Sequence, residues 1–214
     1  MSSTHSTRRR AAPGRAVAAI LAGTLALGAC SSAQAPRFHS LMPAPATGAA
    51  TPAAKVAPAG VLAWEVLPVS VPPGVDQPQW VVRSIDGSLV VLEQERWVGP
   101  LADEIRAAVT AQLTQSLGAP AARTSNLWRV RIDVQRFESA PGREARIEVV
   151  WSVASDAGPS AAALRCRGEF TQVPDAGGYL ALAAGHQKSV ARMTESIASG
   201  LKAVAAGQAG SCQG

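Results

Sequence analysis

The chain has 214 residues, 47% of them apolar and 4% aromatic, enough to bury one core of ordinary size. Its formal net charge is +5, but Arg8, Arg9, Arg10 and Arg15 all precede any stretch that could fold. Without those four, 16 of the 20 basic residues face 15 acidic ones. A nucleic-acid binder would keep a concentrated basic stripe in its folded part, so no nucleic-acid partner is expected.

An Arg-rich start is followed by the uncharged run Ala16–Ala29. Such a run fits the apolar region of a secretory signal and falls short of the roughly 20 residues that span a bilayer. It ends Leu27-Gly28-Ala29-Cys30, which resembles the bacterial lipobox. Small residues there let a peptidase reach the backbone, and the Cys30 thiol carries the diacylglyceryl thioether. Residues 1–29 are therefore expected to be a lipoprotein signal peptide and Cys30 the lipidated residue; the competing reading is an ordinary signal peptide with a cysteine nearby. Ser31, where an Asp would argue otherwise, points to sorting to the outer membrane. No strong apolar residue closely follows the Arg triplet, so Sec export is expected over twin-arginine export. Two or more acyl chains hold stably where one is marginal, so a triacylated Cys30 would tether the protein without a transmembrane helix.

Residues 30–60 form a tether rich in Ala, Pro, Ser, Thr and Gly, with Pro36, Pro43, Pro45, Pro52 and Pro58. Within it, Arg37-Phe38-His39-Ser40-Leu41 reads as a short strand able to pair at a sheet edge. The folded domain is expected over 61–207, with a tail at 208–214. Val61–Val71 is β-rich, and Pro68 assigns it to an edge or a bulge. Strands over Gln79–Ile85 and Ser88–Glu93 are joined by Asp86-Gly87, a hairpin signal in which both turn residues take positive φ. Pro100 opens a helix whose apolar face is Leu101, Ile105, Val109, Leu113 and Leu117, with Gly118 closing it. Asp103 and Glu104 in its first turn suit the helix dipole.

Three alternating strands follow. Trp128, Val130, Ile132 and Val134 face one way, then Ala145, Ile147, Val149, Trp151 and Val153, then Leu164, Cys166, Gly168 and Phe170. Pro141-Gly142 and Gly158-Pro159 supply the turns. One wet face and one buried face mark an antiparallel sheet covered on one side. The cover is a last helix with the stripe Leu182, His186, Val190, Met193, Ile197, Leu201 and Val204. The order βββα–βββα predicts an α+β two-layer domain, mainly antiparallel sheet with two helices on one face.

Enzymatic chemistry finds no support. There is no G-x-S-x-G elbow, no clustered metal ligands and no P-loop Lys after Gly177-Gly178, so no catalytic residue, metal or cofactor is assigned. His5 and His39 lie in the signal and tether, and His186 falls on an apolar stripe, where a core imidazole with a local hydrogen bond is expected. Once Cys30 is acylated, Cys166 and Cys212 are an even pair in an oxidising periplasm. A disulfide pinning the C-terminus is one reading, a buried free thiol with a loose tail the other. Trp80 and Trp97 bracket the hairpin and are expected to staple it to the start of the first helix, or to face a partner.

The stretch Val69–Leu117 resembles the PqiC (YmbA-like) family of ABC-type transport auxiliary lipoproteins. The matching pieces are Pro68 and Pro72, Asp76-Gln77-Pro78-Gln79, a Val-Val-Arg strand entering a hairpin, and Glu95-Arg96-Trp97 before Pro100-Leu101. Trp128–Val134 leading to Arg136-Phe137, a strand carrying Trp151-Ser152, and the upstream lipobox complete the order. Gln77 and Trp80 stand where that pattern has Arg and an aliphatic residue, and the tether is long. The resemblance implies an outer-membrane lipoprotein facing the periplasm and docking the MCE-domain component of an ABC-type lipid transporter, with no bond chemistry of its own. Self-association stays open. The other readings are a lipid carrier holding an acyl chain between sheet and helices, and a cell-envelope hydrolase.

Overall fold

The computed structural model describes residues 34–42, 62–121, 126–156 and 163–212. The signal segment, Cys30 and the Gly158-Pro159 turn lie outside those residues. The chain divides into Met1–Ala35 and Pro36–Gly214, and every element below belongs to the second unit. In order these are β1 (Arg37–His39), β2 (Ala63–Val66), β3 (Gln79–Arg83), β4 (Leu89–Trp97), α1 (Leu101–Leu117), β5 (Leu127–Ala140), β6 (Glu144–Ser155), β7 (Ala163–Gln172) and α2 (Tyr179–Ala205).

The fold is α+β in two layers, but the strands divide into two sheets, β1-β4-β3 and β2-β5-β6-β7. Pairing is antiparallel for β3–β4, β5–β6 and β6–β7, and parallel for β1–β4 and β2–β5. The two parallel strands are short edge pieces that reach their partners through long connections, as parallel pairing requires. Pro68 follows the end of β2, and Ser70 rejoins the sheet edge through a bridge to Asp133.

Alternation holds from Trp128 to Val134 in β5, from Ala145 to Val153 in β6 and from Cys166 to Phe170 in β7. Val130, Ile132, Ile147, Val149 and Val153 are fully buried, and Trp128, Trp151, Cys166 and Phe170 nearly so. The register of β5 shifts between Val134 and Arg136. The bulge re-phases the strand, so that Val134 and Phe137 both turn inward, and the far end of β5 is aimed at the other sheet. The seven stripe residues of α2 are all buried, the helix packing mainly on β6 and β7, and Leu101, Ile105, Val109 and Leu113 of α1 are fully buried. Pro100 sits one residue before α1, and Gly118, at φ 84°, ends it with its N–H on the Thr114 carbonyl.

The hairpin turn departs from the two-residue form expected. Only Gly87 has positive φ; the Gly87 amide donates to the Ser84 carbonyl and the Ser84 amide to the Ser88 carbonyl. The loop is therefore three residues, Ile85–Gly87, a type in which one left-handed glycine suffices. β3 ends at Arg83, and β4 runs on to Trp97 because β1 pairs with its last three residues.

Candidate functional site

Residues 37–42, within the stretch expected to be tether, are clamped to three elements. Glu95 of β4, 2% exposed, accepts from the Arg37 guanidinium and lies 2.6 Å from His39 Nε2. Glu104 in the first turn of α1 accepts from the Ser40 hydroxyl at 2.7 Å and the Leu41 amide at 2.9 Å. Gln187 of α2 donates from Nε2 to the Ser40 and Met42 carbonyls at 2.9 and 3.1 Å. Leu41 is fully buried between them. The short edge strand read from Arg37–Leu41 is thus the buckle that fastens the tether to the body. The signal for Glu95 in the sequence is its phase: it shares its strand face with Trp97, two residues on, and a carboxylate on a core-facing phase needs partners.

Behind the buckle, Trp80, Trp97, Phe137 and His186 pack together. Trp80 and Trp97 have ring centroids 4.5 Å apart, and His186 stacks on Phe137 at 4.1 Å and 10°. Trp80 Nε1 donates to Ser139 Oγ, which lies 2.8 Å from His186 Nε2. The tryptophans therefore tie the hairpin sheet to β5 and α2, where the start of α1 was expected. Folding does bring a hydroxyl beside an imidazole, the one arrangement the hydrolase reading needs. Ser139 is 2% exposed and His186 0%, however, and His186 Nδ1 has no hydrogen-bond partner to orient the ring. Burial holds the imidazole pKa down to about 3, too low for a general base near neutrality. The pair is a structural bond in a closed core. Among the described residues no group of His, Cys, Asp and Glu could hold a metal ion, and no helix is long and apolar enough to cross a membrane.

Three open clefts differ in chemistry. One of about 530 Å³ on the outer sheet face is lined by Gln135, Glu148, Arg167 and Glu169, and another of about 530 Å³ between the helices is lined by Gln112, Gln115, Lys188 and Glu195. The outer sheet face is a ladder of ion pairs, among them Arg129–Glu65, Arg136–Glu148 and Arg146–Glu144, which keep it wet at little net gain. The third cleft, about 650 Å³, lies between β1 and the start of α2 and is lined by Arg37, Phe38, Glu95, Gly178, Tyr179 and Leu180. Phe38 is 59% and Leu180 80% exposed, so two large apolar side chains stand beside the buckle. Neither was singled out from sequence, because their proximity joins residues 142 apart.

Cys166 on β7 and Cys212 in the tail are brought together, with Sγ atoms 2.04 Å and Cα atoms 5.4 Å apart. The tail returns along β7, placing Gly210 against Leu164.

A family profile described as ABC-type transport auxiliary lipoprotein component matches residues 40–198, from the buckle through most of α2. A crystal structure of an uncharacterised protein superposes with a TM-score of 0.60 at 16% identity, covering 77% of this chain and 97% of that one. A crystal structure of a protein from Xanthomonas campestris does so with a TM-score of 0.54 at 23% identity, covering 78% and 94%. These likenesses show the fold. No curated protein matches the chain in sequence. The profile spans well over half of the residues, and the chain belongs to the ABC-type transport auxiliary lipoprotein component family, as an auxiliary lipoprotein component of an ABC-type transport system.

Proposed function

We propose that the protein is an outer-membrane lipoprotein, acylated on Cys30 and facing the periplasm, that docks the MCE-domain component of its transporter to that membrane. The observation that supports this most is the open cleft beside the buckle, where Phe38 and Leu180 protrude from a base held rigid by Glu95, Glu104 and Gln187. Exposed apolar anchors around a cleft with a charged group at its rim (here Arg37) are the usual makings of a protein contact. The carrier reading needs space between sheet and helices. That layer is filled by Ile147, Trp151, Met193, Ile197 and Leu201, each at most 1% exposed. Bond chemistry has no place in this reading, since the Ser139–His186 pair is sealed.

The test is crosslinking in cell envelopes followed by purification of the tagged lipoprotein from membranes. An MCE-domain protein should be recovered, and Phe38→Ala combined with Leu180→Ala should lower the yield severalfold without changing the denaturation midpoint. Recovery of no such protein, together with phospholipid bound to the purified domain, would replace docking with the carrier reading.

A further inference from the structure

The outer face of the four-stranded sheet carries arginines that nothing on the chain neutralises. Arg131 on β5, Ser152 on β6 and Arg165 on β7 stand in one cross-strand row, with their side chains on the same face. Arg167 lies in the next row, with Val150 and Asp133. Neighbouring strands run about 4.8 Å apart, so Arg131 and Arg165 flank Ser152 on either side, and Arg167 is about 7 Å along the strand from Arg165. All three arginines are exposed, and the outward residues of β6 between them, Val150, Ser152 and Ala154, are small. The carboxylates of this face are already engaged. Arg129 holds Glu65 and Asp156, Arg136 holds Glu148, Arg146 holds Glu144 and Glu169, and Asp133 accepts from the Ser70 hydroxyl at 2.7 Å. Among the described residues no hydrogen bond or ion pair reaches the side chains of Arg131, Ser152, Arg165 or Arg167.

We infer that Arg131, Ser152, Arg165 and Arg167 form a binding site for a phosphate group. The rest of the face sets the contrast: elsewhere each arginine stands against a carboxylate, whereas here like charges gather on a rigid sheet around an unused hydroxyl. Every free group in the basin is a hydrogen-bond donor, and planar guanidinium forks match the oxygens of carboxylate and phosphate. Charge and donor number separate those two anions. Three arginines against Asp133 leave a surplus of two positive charges. A phosphate monoester brings three acceptor oxygens and a charge of about −1.5 to −2 near neutrality, where a carboxylate brings two oxygens and one charge. Arg167 also lines the open cleft of about 530 Å³ on this face, which leaves room for whatever bears the phosphate. The carboxylates of that cleft, Glu148 and Glu169, lie 3.6 and 3.5 Å from Arg146 Nη1 and are thereby offset. Inorganic phosphate and the headgroup of a phospholipid offer the same oxygens, so either can be the source. The site shares no residue with the docking cleft and does not depend on the acylation of Cys30.

The test is calorimetric titration of the full chain in a neutral detergent at fixed ionic strength, with inorganic phosphate, with dihexanoyl phosphatidic acid and with acetate. Phosphate or the phosphatidic acid should bind, the tighter of the two naming the source, and acetate should bind at least about tenfold more weakly. Arg131→Gln combined with Arg165→Gln should weaken binding at least about tenfold, and Ser152→Ala about threefold. Arg136→Gln removes the same charge from the same face at a residue already paired with Glu148, and should leave the affinity within about twofold. Denaturation midpoints are measured alongside; if the double arginine variant fails to fold, Ser152→Ala against Arg136→Gln carries the decision. Binding of neither phosphate ligand overturns the inference. So does an equal loss in Arg136→Gln, which would mean diffuse charge and no site, and so does acetate binding as tightly as phosphate, which would make the basin a carboxylate site.

Discussion

His186 shows how one side chain sets a condition on stability. It is fully buried, stacked on Phe137 and 2.8 Å from Ser139 Oγ, with burial lowering its pKa to about 3. In the unfolded chain an imidazole titrates near 6.5. Above that value both states are neutral and His186 adds no pH dependence. Between about 6.5 and 3 the unfolded state binds a proton that the folded state does not, so stability falls as pH falls, by up to about 1.4 kcal/mol per unit. Urea midpoints measured from pH 7 to pH 4 should fall more steeply for the native chain than for His186→Leu. Parallel curves would mean that the ring titrates alike in the folded and unfolded states. Ser139→Ala should cost about 2–3 kcal/mol at pH 7, because Trp80 Nε1 and His186 Nε2 both lose their partner in the core.

At the scale of elements, the closest approach is α2 on the four-stranded sheet. A Cβ built on Gly200 would lie 2.8 Å from Trp151 Cη2 and 2.7 Å from Leu164 Cδ2. Leu164 is flexible and half-buried, but the Trp151 indole is 1% exposed in a filled layer and has nowhere to move. Gly200→Ala gains up to about 1 kcal/mol of helix propensity and incurs about 1–3 kcal/mol of overpacking. Net destabilisation of about 1 kcal/mol is expected in urea denaturation, with Trp151→Leu as a second change restoring tolerance at position 200. If Gly200→Ala is stabilising by itself, the helix can lift off the sheet without loss.

For the whole molecule, the Cys166–Cys212 link closes a loop of 46 residues that contains all of α2. We propose that it forms in the oxidised mature protein. In the chain-entropy model a closure of that length contributes roughly 3–4 kcal/mol. Cys212→Ser should lower the unfolding free energy by about that amount, and reduction should add two hydrogens to the intact mass. An unchanged mass after reduction would show two free thiols. The same organisation divides the labour along β4. Its C-terminal half, under β1, holds the buckle and borders the cleft lined by Phe38 and Leu180, while its N-terminal half carries the exposed Leu89, Val90 and Val91.

Period-two alternation from Trp128 to Phe170 and the four-three stripe of α2 were legible in the sequence because burial on one face is written locally, residue by residue. The cysteine pair could be suspected because Cys166 shared a core-facing phase. Asp86-Gly87 located the hairpin but not its turn type, since only Gly87 needed positive φ. What the local pattern could not contain is which strand pairs with which. The parallel edge pairings, the Trp80–Ser139–His186 chain and the meeting of Phe38 with Leu180 at one cleft all join residues more than 40 positions apart. By itself the sequence determined the α+β class and the faces that enter the core. Only the tertiary structure decided where the tether is fastened and which apolar side chains are left outside, because those outcomes depend on long-range pairing and packing that no short window of residues specifies.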